Sequence, residues 1–232
     1  MIAVNSVRRI SIVTGVLFVL ATVTAVIAGA VVPALGGAGA LSGVAGHPGR
    51  LGVAAVLYLM AAGTSVGIAV ALYPLLREVD AGLALGSVIF RTIEAVCYAV
   101  AVVGLLAVRP LAERWVAAPA GDRAAIQTVA DSVVGSRDYA TLVGVLAFCA
   151  GALMYYLVFY RARLVPRWLS GWGLAGVLLM AVAGLLALFS DNPVTGYTDL
   201  ILPIAVQEMV LAVWLLAKGF RRAGSARQGF SV

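Results

Sequence analysis

Few side chains in this sequence could take part in chemistry, and the most conspicuous of them sit where charge is least expected. The stretch FRTIEAVCYAV, residues 90–100, places Arg91 and Glu94 inside an otherwise apolar run. On a helix Ser87, Arg91, Glu94 and Tyr98 follow one another at spacings of four, three and four residues, which aligns them as a single polar stripe on one face. A second apolar run, LILPIAVQEMVLAVW, carries Gln207 and Glu208. An arginine, two carboxyls, an amide and two hydroxyls can form a hydrogen-bonded network, hold a ligand, or donate a proton from a carboxyl kept dry.

Six apolar stretches must position these groups, at about residues 10–32, 51–73, 83–108, 139–160, 168–189 and 200–217. Each is close to the roughly 20 residues that a helix needs to cross a hydrocarbon core. Hydrophobic residues make up 63% of the 232, charged residues 11%, and the mean hydropathy is +1.07, whereas a soluble domain carries roughly a quarter charged residues. The expected fold is therefore all-α: an integral membrane bundle of about six transmembrane helices, forming one domain over residues 1–220, with a basic disordered tail at 221–232. A barrel would instead show short alternating segments. Seven prolines (Pro33, Pro48, Pro74, Pro110, Pro119, Pro166 and Pro193) are expected in connections, and Pro203 alone within a span. Arg8 and Arg9 before an apolar run imitate a signal peptide, but the run of about 23 residues exceeds the usual h-region, so it is expected as a first membrane helix.

Basic residues set the orientation. One set of alternate connections holds Arg8, Arg9, Arg77, Arg161, Arg163, Arg167, Lys218, Arg221, Arg222 and Arg227, while the other holds Arg50, Arg109, Arg114, Arg123 and Arg137. Since cytoplasmic loops carry the excess, both termini are expected in the cytoplasm of a multi-pass protein of the inner (plasma) membrane. The net charge of +6 then records topology, and nucleic acid is not an expected partner. Trp168 and Trp172, with Tyr155, Tyr156 and Tyr160, are expected at the cytoplasmic interface, and Tyr139 and Tyr197 at the outer one.

The connections carry little chemistry. Residues 33–50 are glycine-rich but follow a membrane helix rather than the strand that a dinucleotide-binding turn requires, and are expected as a flexible loop. Residues 109–138 are expected as one long outer loop, whose middle, DRAAIQTVADSVVG, has the period of an amphipathic helix lying on the outer face or folded over the bundle mouth, with an inert spacer as the alternative. His47 is the only histidine, and Cys97 and Cys149 lie in different spans, so no metal site is expected. No Walker loop, HExxH or GxSxG occurs, and no cofactor is expected. Gly63 and Gly67 form GxxxG, a spacing that lets helix backbones approach. In the turn YRARLVPRWLSGWG, Arg161, Arg163 and Arg167 crowd beside Trp168, a combination suited to anionic lipid headgroups as well as to topology control.

Depth connects the two polar sets. If the third span enters near Leu83, Arg91 lies roughly 12 Å and Glu94 roughly 17 Å from the cytoplasmic edge at 1.5 Å per residue. Counting from Leu200, Glu208 lies roughly 18 Å from that edge of a 30 Å core, level with Glu94. Even low estimates put a charge at midspan about 2.5–3.5 kcal/mol uphill, so these groups should turn inward and find partners. One arginine facing two ionised glutamates leaves a negative charge, so one carboxyl should be protonated or held by a ligand cation.

The stretches RRISIVTGVLFVLATV, FRTIE, YRARLVPRWLSGWGL and LPIAVQEMVLAVWLLAKGF carry a family resemblance. Through them the chain resembles bacterial membrane proteins grouped as domain of unknown function 4386 (DUF4386), over roughly residues 6–220. What the resemblance implies is a multi-span helical protein with no assigned activity. Three functional classes remain open. The first is a binding or transport protein with a midplane pocket built from Ser87, Arg91, Glu94, Tyr98, Gln207 and Glu208, taking a small amphiphilic ligand. The second is a structural or regulatory partner of another membrane protein, with the same residues as helix glue. The third is an embedded enzyme acting on a lipid or isoprenoid with a buried glutamic acid as general acid. Membrane lipids are partners in all three.

Overall fold

A computed structural model describes residues 4–37, 39–190 and 192–221; apart from Arg221, the expected tail lies outside the described residues. Seven α-helices follow in order: α1 (Val4–Val31), α2 (Ala40–Gly46), α3 (Pro48–Leu76), α4 (Ala81–Ala117), α5 (Arg123–Ala162), α6 (Arg167–Leu188) and α7 (Thr198–Ala217), the last entered through a 3₁₀ turn at Val194–Tyr197. Among the described residues no strand occurs, and every helix but the short α2 is long and apolar enough to cross a membrane. A lipid environment forces this choice, because each span must satisfy its own backbone N–H and C=O groups. Local signals set the ends. Asp80 caps α4 by accepting a hydrogen bond from the Leu83 amide at 2.9 Å. Pro48 opens α3, where its missing N–H costs nothing. Gly219 leaves α7 with φ +74°, the left-handed exit that glycine adopts freely.

The six long helices form a closed ring. Each packs on its neighbour in sequence, α3 following α1, and α7 returns to pack on α1. Both described ends of the chain, with the turns at 77–80 and 163–166, lie on one face, here termed the terminal face. In the half nearest this face the ring is solid. Phe18, Tyr155, Tyr156, Phe159 and Phe220 form a chain of ring contacts with centroids 4.6–6.4 Å apart, set among Leu72, Leu76, Leu164, Leu169 and Leu215. The closure is laced: Arg8 donates to the Leu216 carbonyl at 2.8 Å, the Phe220 amide to Ser11 Oγ at 2.9 Å, and the Arg221 amide to the Leu164 carbonyl at 2.8 Å.

The opposite end differs from the sequence expectation. Instead of a long loop at 109–138, α4 continues to Ala117 and α5 begins at Arg123, leaving a connection of 118–122. The amphipathic period is real, but it belongs to α5 itself rather than to a separate helix on the membrane surface. Its apolar face joins Leu41 and Val44 of α2, Leu51 and Ala54 of α3, and Leu105, Val108 and Ala112 of α4 in a second core. The 40 residues of α5 extend about 60 Å at 1.5 Å per residue, twice the roughly 30 Å core, so the α4–α5 hairpin projects well beyond it. Pro110 therefore stands inside α4, as Pro74 stands inside the last turns of α3 and Pro48 at its start. One missing backbone bond is outweighed at Pro110 by the packing of Leu111, Ala112 and Trp115 beyond it.

Candidate functional site

The ring is hollow in its other half. A cavity of about 760 Å³ is lined by residues of all six long helices and of the 3₁₀ turn. Its inner end, at midspan, is Ser65 of α3, Arg91 and Glu94 of α4 and Glu208 of α7; its walls include Tyr58, Tyr98 and Phe148; and towards the face away from the termini it reaches Arg137, Asp138, Thr195 and Thr198.

Arg91 is 2% exposed. Its Nη1 lies 3.1 Å from Glu94 Oε2, and its guanidinium carbon sits 4.5 Å from the centroid of the Phe148 ring, a cation–π contact. The stem rests on Gly151 of α5, where an added Cβ would come within 3.1 Å of Arg91 Cγ. A side chain there would make the arginine stem give way by a few tenths of an ångström. The contact to Glu94 is an ion pair without hydrogen-bond alignment, and Arg91 Nε and Nη1 have no hydrogen-bond acceptor. Glu94, 4% exposed, also accepts a hydrogen bond on Oε2 from Ser65 at 2.8 Å. Glu208 is half-buried and makes no ion pair among the described residues; its contact is the Tyr155 hydroxyl, 3.5 Å from Oε1, long for a hydroxyl donor.

The six residues singled out in sequence thus separate. Arg91, Glu94, Tyr98 and Glu208 line the cavity. Ser87 is buried off it and donates back to the Ala84 carbonyl at 2.8 Å, as a helical serine commonly does. Gln207 is buried beside the aromatic core, where its Oε1 accepts a short hydrogen bond from the Tyr156 hydroxyl and its Nε2 donates to the Leu169 carbonyl at 3.0 Å. That bridge ties α5, α6 and α7 together. Arg161, Arg163, Arg167 and Trp168 lie exposed on the terminal face, remote from the cavity, with Arg167 stacked over Tyr160 at 5.5 Å.

Two aromatic expectations need correction. Tyr155 and Tyr156 are fully buried rather than interfacial; Tyr155 stands seven residues before the end of α5, about 10 Å inside it at 1.5 Å per residue, which is too deep for an interface. That depth was the signal for its contact with Glu208. Ser65 and Phe148, also missed, had none, since a lone serine or phenylalanine in an apolar run is ordinary. Nor does the GxxxG of α3 bring backbones together: an added Cβ at Gly63 would meet nothing within 4 Å, and at Gly67 only the Leu17 side chain at 3.3 Å.

A closed ring of apolar helices around a one-sided, charge-floored cavity defines a multi-pass all-α membrane protein. The chain belongs to the family described as domain of unknown function DUF4386, whose model matches residues 13–219. No curated protein and no solved structure matches the chain.

Proposed function

We propose that this is a binding or transport protein that takes a small amphiphilic molecule into the midspan pocket formed by Arg91, Glu94, Tyr98 and Glu208. The observation that carries the reading is the cavity itself. The Arg91–Glu94 pair is nearly packed over, but Glu208 beside it is only half-buried, and together they close the end of a space of about 760 Å³, within the 300–1,000 Å³ typical of small-molecule sites. Apolar walls suit an apolar body and the floor suits a polar head. The solid aromatic half beneath prevents passage, so a transporter would have to open the Tyr156–Gln207–Leu169 bridge. In this reading the chain is one domain of the bacterial inner membrane, with the terminal face and its basic residues in the cytoplasm.

Native mass spectrometry of the protein in mild detergent tests the proposal. A co-purifying small molecule should be present, and it should be lost in Ala205→Trp, which fills the cavity from α7 while leaving every charged group in place. A wild-type mass free of any bound species, with Ala205→Trp as stable as or more stable than wild type and no amphiphile bound on addition, would abandon the pocket reading. A second reading, helix glue in a partner of another membrane protein, is favoured for Gln207 alone, whose hydrogen bonds are all internal.

A further inference from the structure

The charges of the floor select among amphiphiles. Glu94 is matched, because the Arg91 guanidinium and the Ser65 hydroxyl both converge on its Oε2. Glu208 faces the same cavity with only the long Tyr155 contact. With all three groups ionised the floor carries one net negative charge, and Glu208 is the carboxyl without an ion pair among the described residues. An anionic head would meet two carboxylates and an arginine already neutralised, whereas a monocation restores balance. Arg91 Nε and Nη1 lack an acceptor but are themselves sealed off from the cavity, so the arginine contributes its charge to the floor without presenting these donors to a ligand.

The position of the cavity indicates where the apolar part runs. Near the terminal face α1 and α7 are in contact, and an added Cβ at Gly15 would come within 3.1 Å of the Ala212 carbonyl. Further along, Ala25, Val26 and Gly29 of α1 and Ile201, Ala205 and Glu208 of α7 line the cavity instead. Val26 is 65% exposed as well as cavity-lining, and it lies five residues before the end of α1, about 8 Å inside the helix end. The cavity therefore reaches the lipid-facing surface between α1 and α7.

Resting on the pocket reading above, we propose that the ligand is a single-chain amphiphilic amine. The ammonium pairs with Glu208, and the chain leaves between α1 and α7.

Four probes of equal chain length test this by native mass spectrometry: 2-aminododecan-1-ol, dodecylamine, dodecanoate and dodecan-1-ol. The two amines should bind one per protein, and Glu208→Gln should weaken both by at least about tenfold while Glu208→Asp recovers part of the loss. Val26→Trp should weaken the dodecyl amino alcohol more than its hexyl counterpart; an equal effect would overturn the side exit. Binding of dodecanoate, or of dodecanol irrespective of Glu208→Gln, would overturn the cationic class and leave the pocket reading intact. Binding of none of the four overturns the class, and the co-purified species displaced by Ala205→Trp then decides the pocket reading separately.

Discussion

Arg91 and Glu94 neutralise each other where water cannot, so each depends on the other more than on the helices around it. Removing one partner of a buried pair leaves an uncompensated charge, whereas replacing both with apolar groups removes the desolvation cost as well. Arg91→Leu should therefore destabilise the protein by on the order of 3 kcal/mol, and the double replacement Arg91→Leu with Glu94→Leu should recover most of that loss. Thermal unfolding in detergent, run as a double-mutant cycle, measures both; a double variant no more stable than Arg91→Leu would show that the pair is held by something other than mutual charge. Arg109 and Glu113 provide the contrast, since their side chains are 55% and 56% exposed at 3.0 Å and Arg109→Ala should cost less than about 1 kcal/mol. At this scale the sequence was readable for the charged residues, because a charge in an apolar run is an anomaly that spacing can place on a face. It was not readable for Phe148 or Ser65, whose residue types are unremarkable in a span and whose roles come from which helix lies opposite.

Among helices, small residues matter where they admit a neighbour, and the sequence pattern alone misplaced that role. GxxxG in α3 faces open space at Gly63, while the tightest approaches lie in other helices, at Gly86 of α4 and at Gly173 and Gly184 of α6. An added Cβ at Gly173 would come within 2.4 Å of the Tyr156 ring, the ring whose hydroxyl reaches Gln207. Gly173→Ala should thus displace Tyr156, break the bridge joining α5, α6 and α7, and cost about 1–3 kcal/mol from overpacking together with a lost hydrogen bond. Gly63→Ala should be neutral or stabilising by up to about 1 kcal/mol through helix propensity. Parallel melting curves for the two variants decide the matter; the reverse order would mean that α3 packs against another chain through Gly63. Helix extent was legible in outline, since six apolar stretches did mark six helices. The ends of α4 and α5 were not, because Pro110 reads locally as a stop and only the second core around Leu105, Val108 and Ala130 explains why the helix continues past it.

For the molecule as a whole the cavity is one-sided, and orientation determines what it can sample. Among the described residues Arg8, Arg9, Arg77, Arg161, Arg163, Arg167, Lys218 and Arg221 lie towards the terminal face and Arg50, Arg109, Arg114, Arg123 and Arg137 towards the other end; the proposed orientation accordingly has the solid half facing the cytoplasm and the hollow half facing outward. The Arg137–Asp138 pair, 2.8 Å apart at the outer end of the cavity, would then lie on the path from outside to Glu208. Accessibility can be measured with Cys97 and Cys149 replaced by alanine. In intact cells, Thr198→Cys at the mouth and Ala205→Cys deeper in the cavity should react with membrane-impermeant thiosulfonates added outside, whereas Arg167→Cys on the terminal face should react only after permeabilisation. The sign of the reagent adds a second reading at Ala205→Cys. A floor with one arginine and two carboxyls attracts a cationic thiosulfonate and repels an anionic one, so the ratio of their rates should favour the cation by about tenfold relative to the same ratio at Thr198→Cys, and Glu208→Gln should abolish that preference. Equal ratios at the two depths would remove the excess negative charge from the floor, and reaction of Arg167→Cys from outside would invert the protein in its membrane while leaving the cavity where it is.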